Sequence, residues 1–232
     1  LLNLEKFGKL ELNFFSQLAE PTVIQEVYNL TENSLYRNDF NKTLETRIEG
    51  AITLPVVGIK AGLAYNLLTD YIYADTLGLP QQLSGVNNLL QFTAERNFAF
   101  GVLNINNRFL FQTTDADEIR LPSFMGEHSI FYAGKWFKVL NVQFGVDVRY
   151  FDGFRPYYYN PVTQQFQLQE RQETDLQLQT DVFFSMRVTR FRLFFKSEQL
   201  NTLWNPNLLY LVADNPFPDQ ATRLGIRWRL VN

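Results

Sequence analysis

The segment Thr222–Asn232, T-R-L-G-I-R-W-R-L-V-N, constrains the fold more than any other stretch of the chain. Side chains of an extended strand alternate between two faces. Leu224, Ile226, Trp228 and Leu230 therefore share one face, and Arg223, Arg227 and Arg229 share the other. A strand with one wholly apolar and one strongly cationic face, Gly225 standing between the first two arginines, needs a dry phase on one side and water on the other. A soluble sheet meets this need by turning the apolar face to a core. A barrel in a membrane meets it by turning that face to lipid and the arginines to a wet lumen.

The same period recurs along most of the chain. Leu10, Leu12 and Phe14 alternate with Lys9, Glu11 and Asn13, and Leu44, Thr46 and Ile48 with Glu45, Arg47 and Glu49. Val142, Phe144, Val146, Val148 and Tyr150 oppose Gln143, Asp147 and Arg149, the cleanest case. Leu178, Val182, Phe184 and Met186 oppose Gln177, Gln179, Asp181 and Arg187, and Phe191, Leu193 and Phe195 oppose Arg192 and Lys196. With the final segment this makes about ten strands of roughly 10–15 residues. Globular strands typically have about 5–6 residues, whereas tilted membrane-crossing strands need about 9–11.

The connections discriminate further. Tight turns are predicted near Glu5–Gly8, Leu54–Val56, Arg96–Phe98, Lys138–Asn141 and Val188–Arg190. Between them lie long polar connections, Ser16–Phe40, Ala74–Asn87, Thr113–Gly126, Asp152–Arg171 and Asn201–Ala221, in strict alternation with the short ones. Short turns on one side and long loops on the other are the pattern of a membrane barrel; a soluble sandwich or lipocalin-like barrel does not require it. Prolines other than Pro55 fall in the long connections, where they cost no ladder hydrogen bond.

Composition narrows the class. No run approaches the roughly 18 apolar residues of a spanning helix. Aromatics reach 16%, and they cluster at strand ends as an interfacial girdle would require. With 21 Lys+Arg against 24 Asp+Glu, nothing draws the chain to nucleic acid, and without cysteine there is neither a disulfide frame nor a thiolate metal site. The start L-L-N-L-E-K-F-G lacks Met and reads as a strand end entering a turn, which leads us to expect further strands N-terminal to it. The expected fold is all-β, a single up-and-down antiparallel transmembrane barrel domain over residues 1–232, possibly part of a larger barrel.

The ending R-L-G-I-R-W-R-L resembles the outer-membrane β-signal: Arg223 takes its polar position, Gly225 the glycine, and Trp228 and Leu230 the two apolar positions. The resemblance implies that barrel-assembly machinery reads Arg223–Leu230. The chain departs from the commonest form by ending in Val231-Asn232 instead of an aromatic residue. More broadly, the aromatic- and Asn-rich strands and this ending look like the C-terminal part of a putative-porin family of Bacteroidetes-type outer membranes. That resemblance implies outer-membrane residence with the C-terminus in the periplasm.

On this reading Arg47, Glu49, Lys60, Asp147, Arg149, Asp181, Arg192, Lys196, Arg223, Arg227 and Arg229 line the lumen. Trp136, Val142, Phe144, Val146, Val148, Tyr150, Leu224, Ile226, Trp228 and Leu230 face lipid or form its girdle. Opposed charges across a pore screen solutes; the same charges could instead be a neutralised ladder that stiffens a closed wall. Catalysis is not expected. His128 and Ser129 point to opposite faces of a strand, so they form no nucleophilic pair, and His128 is expected at the surface near a loop. Asp115-Ala116-Asp117-Glu118 lacks the glycine and spacing of a calcium loop. Tyr157–Tyr159 is read as interfacial tyrosines, and Asp75-Thr76-Leu77 resembles a short O-glycosylation acceptor of exported Bacteroidetes proteins. No cofactor is expected; membrane lipid is the expected surrounding. Two functions of different class follow: a porin-like channel for small solutes, and a structural barrel whose loops hold an outer-membrane protein partner. About ten strands enclose only side chains, while about 16 leave an aqueous channel.

Overall fold

The computed structural model describes residues 2–3, 8–30, 33–204 and 209–230. Its frame is an antiparallel sheet in which strands adjacent in the chain pair throughout. These are β1 (Leu2–Asn3), β2 (Lys9–Ala19), β3 (Thr43–Leu54), β4 (Ile59–Thr69), β5 (Val86–Phe100), β6 (Leu103–Thr114), β7 (Phe124–Trp136), β8 (Leu140–Phe151), β9 (Gln177–Val188), β10 (Phe191–Glu198) and β11 (Ala221–Trp228). This is the up-and-down topology that the alternating connections predict. Among the described residues β1 and β11 do not pair, so the sheet is open.

The register explains why these segments are strands. Directly paired residues lie on the same face, and the hydrophobic period is kept from strand to strand: Phe14 pairs Ile48, Ile48 pairs Tyr65, and Tyr65 pairs Leu90. Farther along, Ile130 pairs Val146 and Val146 pairs Val182. On the other face Glu95, Arg108, Glu127, Arg149 and Gln179 form one continuous row. A slip of one residue would exchange the two faces, so each apolar row pins its neighbour's register.

Burial is the reverse of a soluble sheet's. The apolar face is open, with Leu12 67%, Ile130 51% and Ile226 63% exposed. Buried strand residues include Asn66, Gln112, Asp181 and Ser197. An apolar band of this extent requires a non-aqueous surrounding.

At one end the strands are joined by short turns. The turn expected at Arg96–Phe98 lies instead at Gly101–Val102: β5 runs on to Phe100, with Asn97 paired to Asn106 and the Arg96 guanidinium 4.5 Å over the Phe98 ring. Gly101 supplies the positive φ (63°) that the reversal needs. Between β7 and β8 the turn is Phe137–Val139, with Phe137 and Lys138 both at positive φ, so β8 already starts at Leu140. β2 extends to Ala19, past the predicted loop start at Ser16, and β4 ends at Thr69. The expected turn at Glu5–Gly8 falls outside the described residues except for Gly8.

The long connections at the other end fold into a layer of their own. Ile72–Ala74 and Pro80–Gln82 form a hairpin in one loop, Tyr158–Asn160 and Gln165–Gln167 a hairpin in another, and Gln167 pairs in parallel with Ala74 to join them. A bridge from Tyr158 to Ala213 adds the loop between β10 and β11. Tyr157 closes the layer: its hydroxyl donates to the Glu118 carbonyl (2.7 Å) and accepts from the Arg120 N–H (3.1 Å) and from the Tyr71 hydroxyl. The sequence alone reads these stretches as polar connections, because the hairpins are only three residues long and single residue pairs join segments far apart in the chain.

Burial, and then the neighbouring Tyr157, push the Tyr71 hydroxyl up to about 12. The protonated phenol is the form the loop layer holds, so its contribution is complete below the unfolded value near 10 and disappears as pH rises through about 12. Two units correspond to about 3 kcal/mol in the loop layer. Burial also raises Tyr36, Tyr73 and Tyr157, so tyrosine absorbance near 295 nm should show several late titrations in the native protein, and Tyr71→Phe should remove the one near 12. If all tyrosines titrate together near 10 before any loss of structure, the Tyr71 environment is wrong.

Candidate functional site

The polar face carries the chemistry of this chain. In the loop-side part of the strands an unbroken chain of ion pairs of alternating sign crosses five strands. Glu127 on β7 meets Arg149 on β8 (3.0 Å), Arg149 meets Asp181 on β9 (3.2 Å), and Asp181 meets Lys196 on β10 (3.1 Å). Lys196 also meets Glu198 (3.1 Å), which meets Arg223 on β11 (2.8 Å). Asp181 is the hub, with its side chain 1% exposed. Besides its two cations, its carboxylate accepts from the Gln199 backbone N–H (3.0 Å) and the Gln179 amide (3.3 Å). A carboxylate so shielded is tolerable only with its charge and lone pairs answered.

The ladder sits where it does because neighbouring strands carry charges of opposite sign at nearby register positions, with β10 contributing both Lys196 and Glu198. Arg149 pairs in register with Glu127 on one side and Gln179 on the other, which leaves its fork free to reach the Asp181 carboxylate two residues along. Separate ion pairs continue around the face, with Arg108 on Glu95 (3.3 Å) and contacts of Arg47 with Glu49 and Lys9 with Glu11.

The loop between β10 and β11 turns back over this face. Asn201 holds it to β9, accepting from the Thr180 N–H (2.9 Å) and donating to the Leu178 carbonyl (2.9 Å). Gln177 accepts from the Tyr210 N–H (3.0 Å). Leu209, Leu211 and Phe217 then approach Leu110, Met125 and Phe151. Apolar side chains on an otherwise charged face are thus explained by the loop that lies on them.

The predicted lumen residues Arg47, Glu49, Lys60, Asp147, Arg149, Asp181, Arg192, Lys196, Arg223 and Arg227 all fall on this one face by register. Arg229 lies just beyond β11, its N–H on the Arg190 carbonyl. The structure joins Arg149, Asp181, Lys196 and Arg223 through Glu127 and Glu198. Those two acids were absent from the sequence-based set because each stands near a strand end and gains its role only from its neighbours. Asp147 faces Asp181 directly but lies outside the ladder, since both nearby cations turn to Asp181.

Trp136, Val142, Phe144, Val146, Val148, Tyr150, Leu224, Ile226 and Trp228 share the opposite face, with exposed Leu230 beyond the end of β11. Val142 is the exception in exposure, at 2%, beside Gly134 where the Tyr132 ring closes in. His128 corrects the sequence reading: it lies inside β7 on the apolar face, bonded to Asn107 (2.7 Å) and the Tyr150 hydroxyl (3.1 Å) and packed against the Phe109 ring. A polar ring on that face is accommodated because both nitrogens are answered by neighbouring strands.

The loop candidates resolve as structural parts. Asp115 accepts from Asn88, whose backbone N–H (2.6 Å) and side-chain amide hold its carboxyl below the usual range. Asp75 accepts from the Leu77 and Leu79 N–H groups, shaping its turn, and Thr76 next to it is exposed. Tyr157 belongs to the loop layer described above, not to an interfacial girdle.

Gly225 has a reason of its own. It pairs with Phe194 on the polar face, and that ring lies where a Cβ would stand. Gly225→Val should displace the ring and lower stability by about 1–3 kcal/mol, read as an earlier urea midpoint in detergent. Gly225→Val together with Phe194→Ala should recover part of the loss; no recovery would refute this contact.

A family model and solved structures place the chain among known proteins. The family model described as "Putative porin" matches residues 2–232. No curated protein matches the sequence. Among solved structures, the siderophore receptor PirA from Acinetobacter baumannii is similar with a TM-score of 0.63 and 11% identity, over 97% of this chain and 39% of that one. The ferric-catecholate import receptor Fiu from K12 E. coli, in a closed form, is similar with a TM-score of 0.56 and 13% identity, over 86% of this chain and 29% of that one. The chain therefore spans well under half the length of both. At these identities the likeness is one of fold, and it agrees with a barrel wall.

Proposed function

Since the chain belongs to the putative porin family, we propose that its polar face borders the water-filled lumen of an outer-membrane pore for small solutes. The short turns and C-terminal segment then face the periplasm, and the loop layer faces outward. The observation that carries this reading is the ladder in the loop-side part of the strands. Its six charges cross five adjacent strands on the face opposite the apolar band, a position that lipid would not accept. Bacteroidetes-type origin and recognition of Arg223–Leu230 by barrel-assembly machinery belong to the same reading, which assigns the chain no catalytic chemistry.

The test uses the full-length protein, and residues 1–232 contribute no cysteine of their own. Single changes Gln143→Cys and Phe144→Cys place a thiol on either face of β8. In planar bilayers a membrane-impermeant thiol reagent should reduce current through Gln143→Cys and leave Phe144→Cys unaffected. Absence of any conductance in the assembled protein would sink the channel reading, and equal block at both positions would sink the facing assignment.

One observation supports a second reading, a barrel that holds an outer-membrane protein partner. The loop layer is folded and tied by Arg120–Glu170, Arg155–Glu173 and Arg171–Asp214, yet it leaves Val162, Phe166, Leu203 and Trp204 open to water. A stoichiometric protein retained through mild detergent extraction, and lost on Phe166→Ser with Trp204→Ser, would favour it; a lone protein would count against it.

A further inference from the structure

We propose that Lys135, Arg187, Arg192 and Arg227 form an oxyanion site near the short-turn mouth of the lumen, suited to inorganic phosphate or the phosphate group of a small solute. The site rests on the reading that the polar face borders water. Its basis is the register. Lys135 pairs Asn141, Asn141 pairs Arg187, Arg187 pairs Arg192, and Arg192 pairs Arg227. These residues form a single row across β7 to β11, and directly opposed positions lie only about 4.5–5.5 Å apart at Cα. Like charges facing each other across strands are destabilising.

Nearer the loops, cations on this face are answered by carboxylates, in the ladder and in Arg108–Glu95. Here the sequence supplies none. No Asp or Glu occurs in residues 128–146, 182–197 or 220–232, which are the turn-side parts of these five strands. Among the described residues no ion pair reaches Lys135, Arg187, Arg192 or Arg227. Arg192 donates one N–H to the Ser185 hydroxyl (3.2 Å), one of the five its guanidinium carries.

The row also has space in front of it. An open cleft of about 450 Å³ is lined by Lys135, Asn141, Gln143, Ser185, Arg187 and Arg192. Cations thus sit beside neutral amide and hydroxyl donors, and the forked guanidinium geometry matches tetrahedral oxyanions. Rings of Arg and Lys select anions and phosphates in pores by this chemistry. The ladder in the loop-side part of the strands is neutral by contrast, so the turn-side mouth would collect anions that the ladder then passes or stops.

The experiment compares full-length protein with the double variant Arg187→Gln/Arg192→Gln, both confirmed to assemble by equal yield and equal urea midpoints. In planar bilayers under a potassium chloride gradient, the native protein should show an anion-selective reversal potential, and inorganic phosphate on the turn side should reduce chloride current. The double variant should shift towards cation selectivity and need at least tenfold more phosphate. Equal phosphate response in both would overturn the site. If the protein passes no current, phosphate binding to protein in zwitterionic nanodiscs is measured by calorimetry. Binding lost in the double variant would then keep the site while the channel reading fails; binding absent or unchanged would overturn the site. Nanodiscs containing phosphatidylglycerol separate the remaining source: if the variant loses only contact with that headgroup, the anion is a lipid and the lumen site is wrong.

Discussion

Asp181→Ala should be the most damaging single change on the polar face, lowering stability by about 2–4 kcal/mol. The carboxylate answers Arg149, Lys196, the Gln199 N–H and the Gln179 amide at once, and its removal leaves all four facing a void. The lower part of the range for broken buried pairs applies because Arg149 and Lys196 remain 40% and 31% exposed and keep Glu127 and Glu198. Asp147→Ala is the informative partner. Asp147 faces Asp181 in direct register and holds neither cation of the ladder, so its loss relieves repulsion and should change stability by about 0.5 kcal/mol or less. Urea midpoints of the refolded full-length protein in detergent would read both. Equal effects would mean that Asp181 is not the hub.

Ile226→Lys should prevent stable insertion of β11, whereas Arg227→Gln next to it should leave assembly intact and alter at most conductance or selectivity. Ile226 pairs Leu193 on the apolar face and is 63% exposed there. A lysine at mid-bilayer depth on the lipid face costs about 2–4 kcal/mol. Arg227 pairs Arg192 on the opposite face, where a neutral amide removes a repulsion and exposes nothing to lipid. The measurement is the yield of protease-resistant, membrane-inserted protein. Comparable yields for the two variants would show that the faces have been assigned the wrong way round.

Much of the wall could be read from the chain because a strand has a period of two and each face meets a single environment. In β8 the run Val142, Phe144, Val146, Val148 opposite Gln143, Asp147, Arg149 leaves only one extended solution, and the pairing keeps it. Turn positions were less legible. The polar Arg96-Asn97 pair looks like a turn, yet it continues β5, and Gly101 four residues later reverses the chain. His128 was misplaced for a related reason. Its strand begins only at Phe124, and its two hydrogen-bond partners come from β6 and β8, which no local pattern announces.

What the amino-acid sequence determined by itself is the alternation: long amphipathic strands, short and long connections in turn, and one face rich in charge. These are local properties, set by side-chain direction along an extended backbone. Only the tertiary structure decided which charges meet. Whether Asp181 or Asp147 becomes the hub, whether Arg187, Arg192 and Arg227 stand in one row, and whether the long connections fold together all depend on register between strands and contacts between distant loops. A shift of two residues in one pairing would keep every apolar face in place and rearrange all the charges. The faces were therefore legible from a single strand, and the ladder and the basic row only from several strands together.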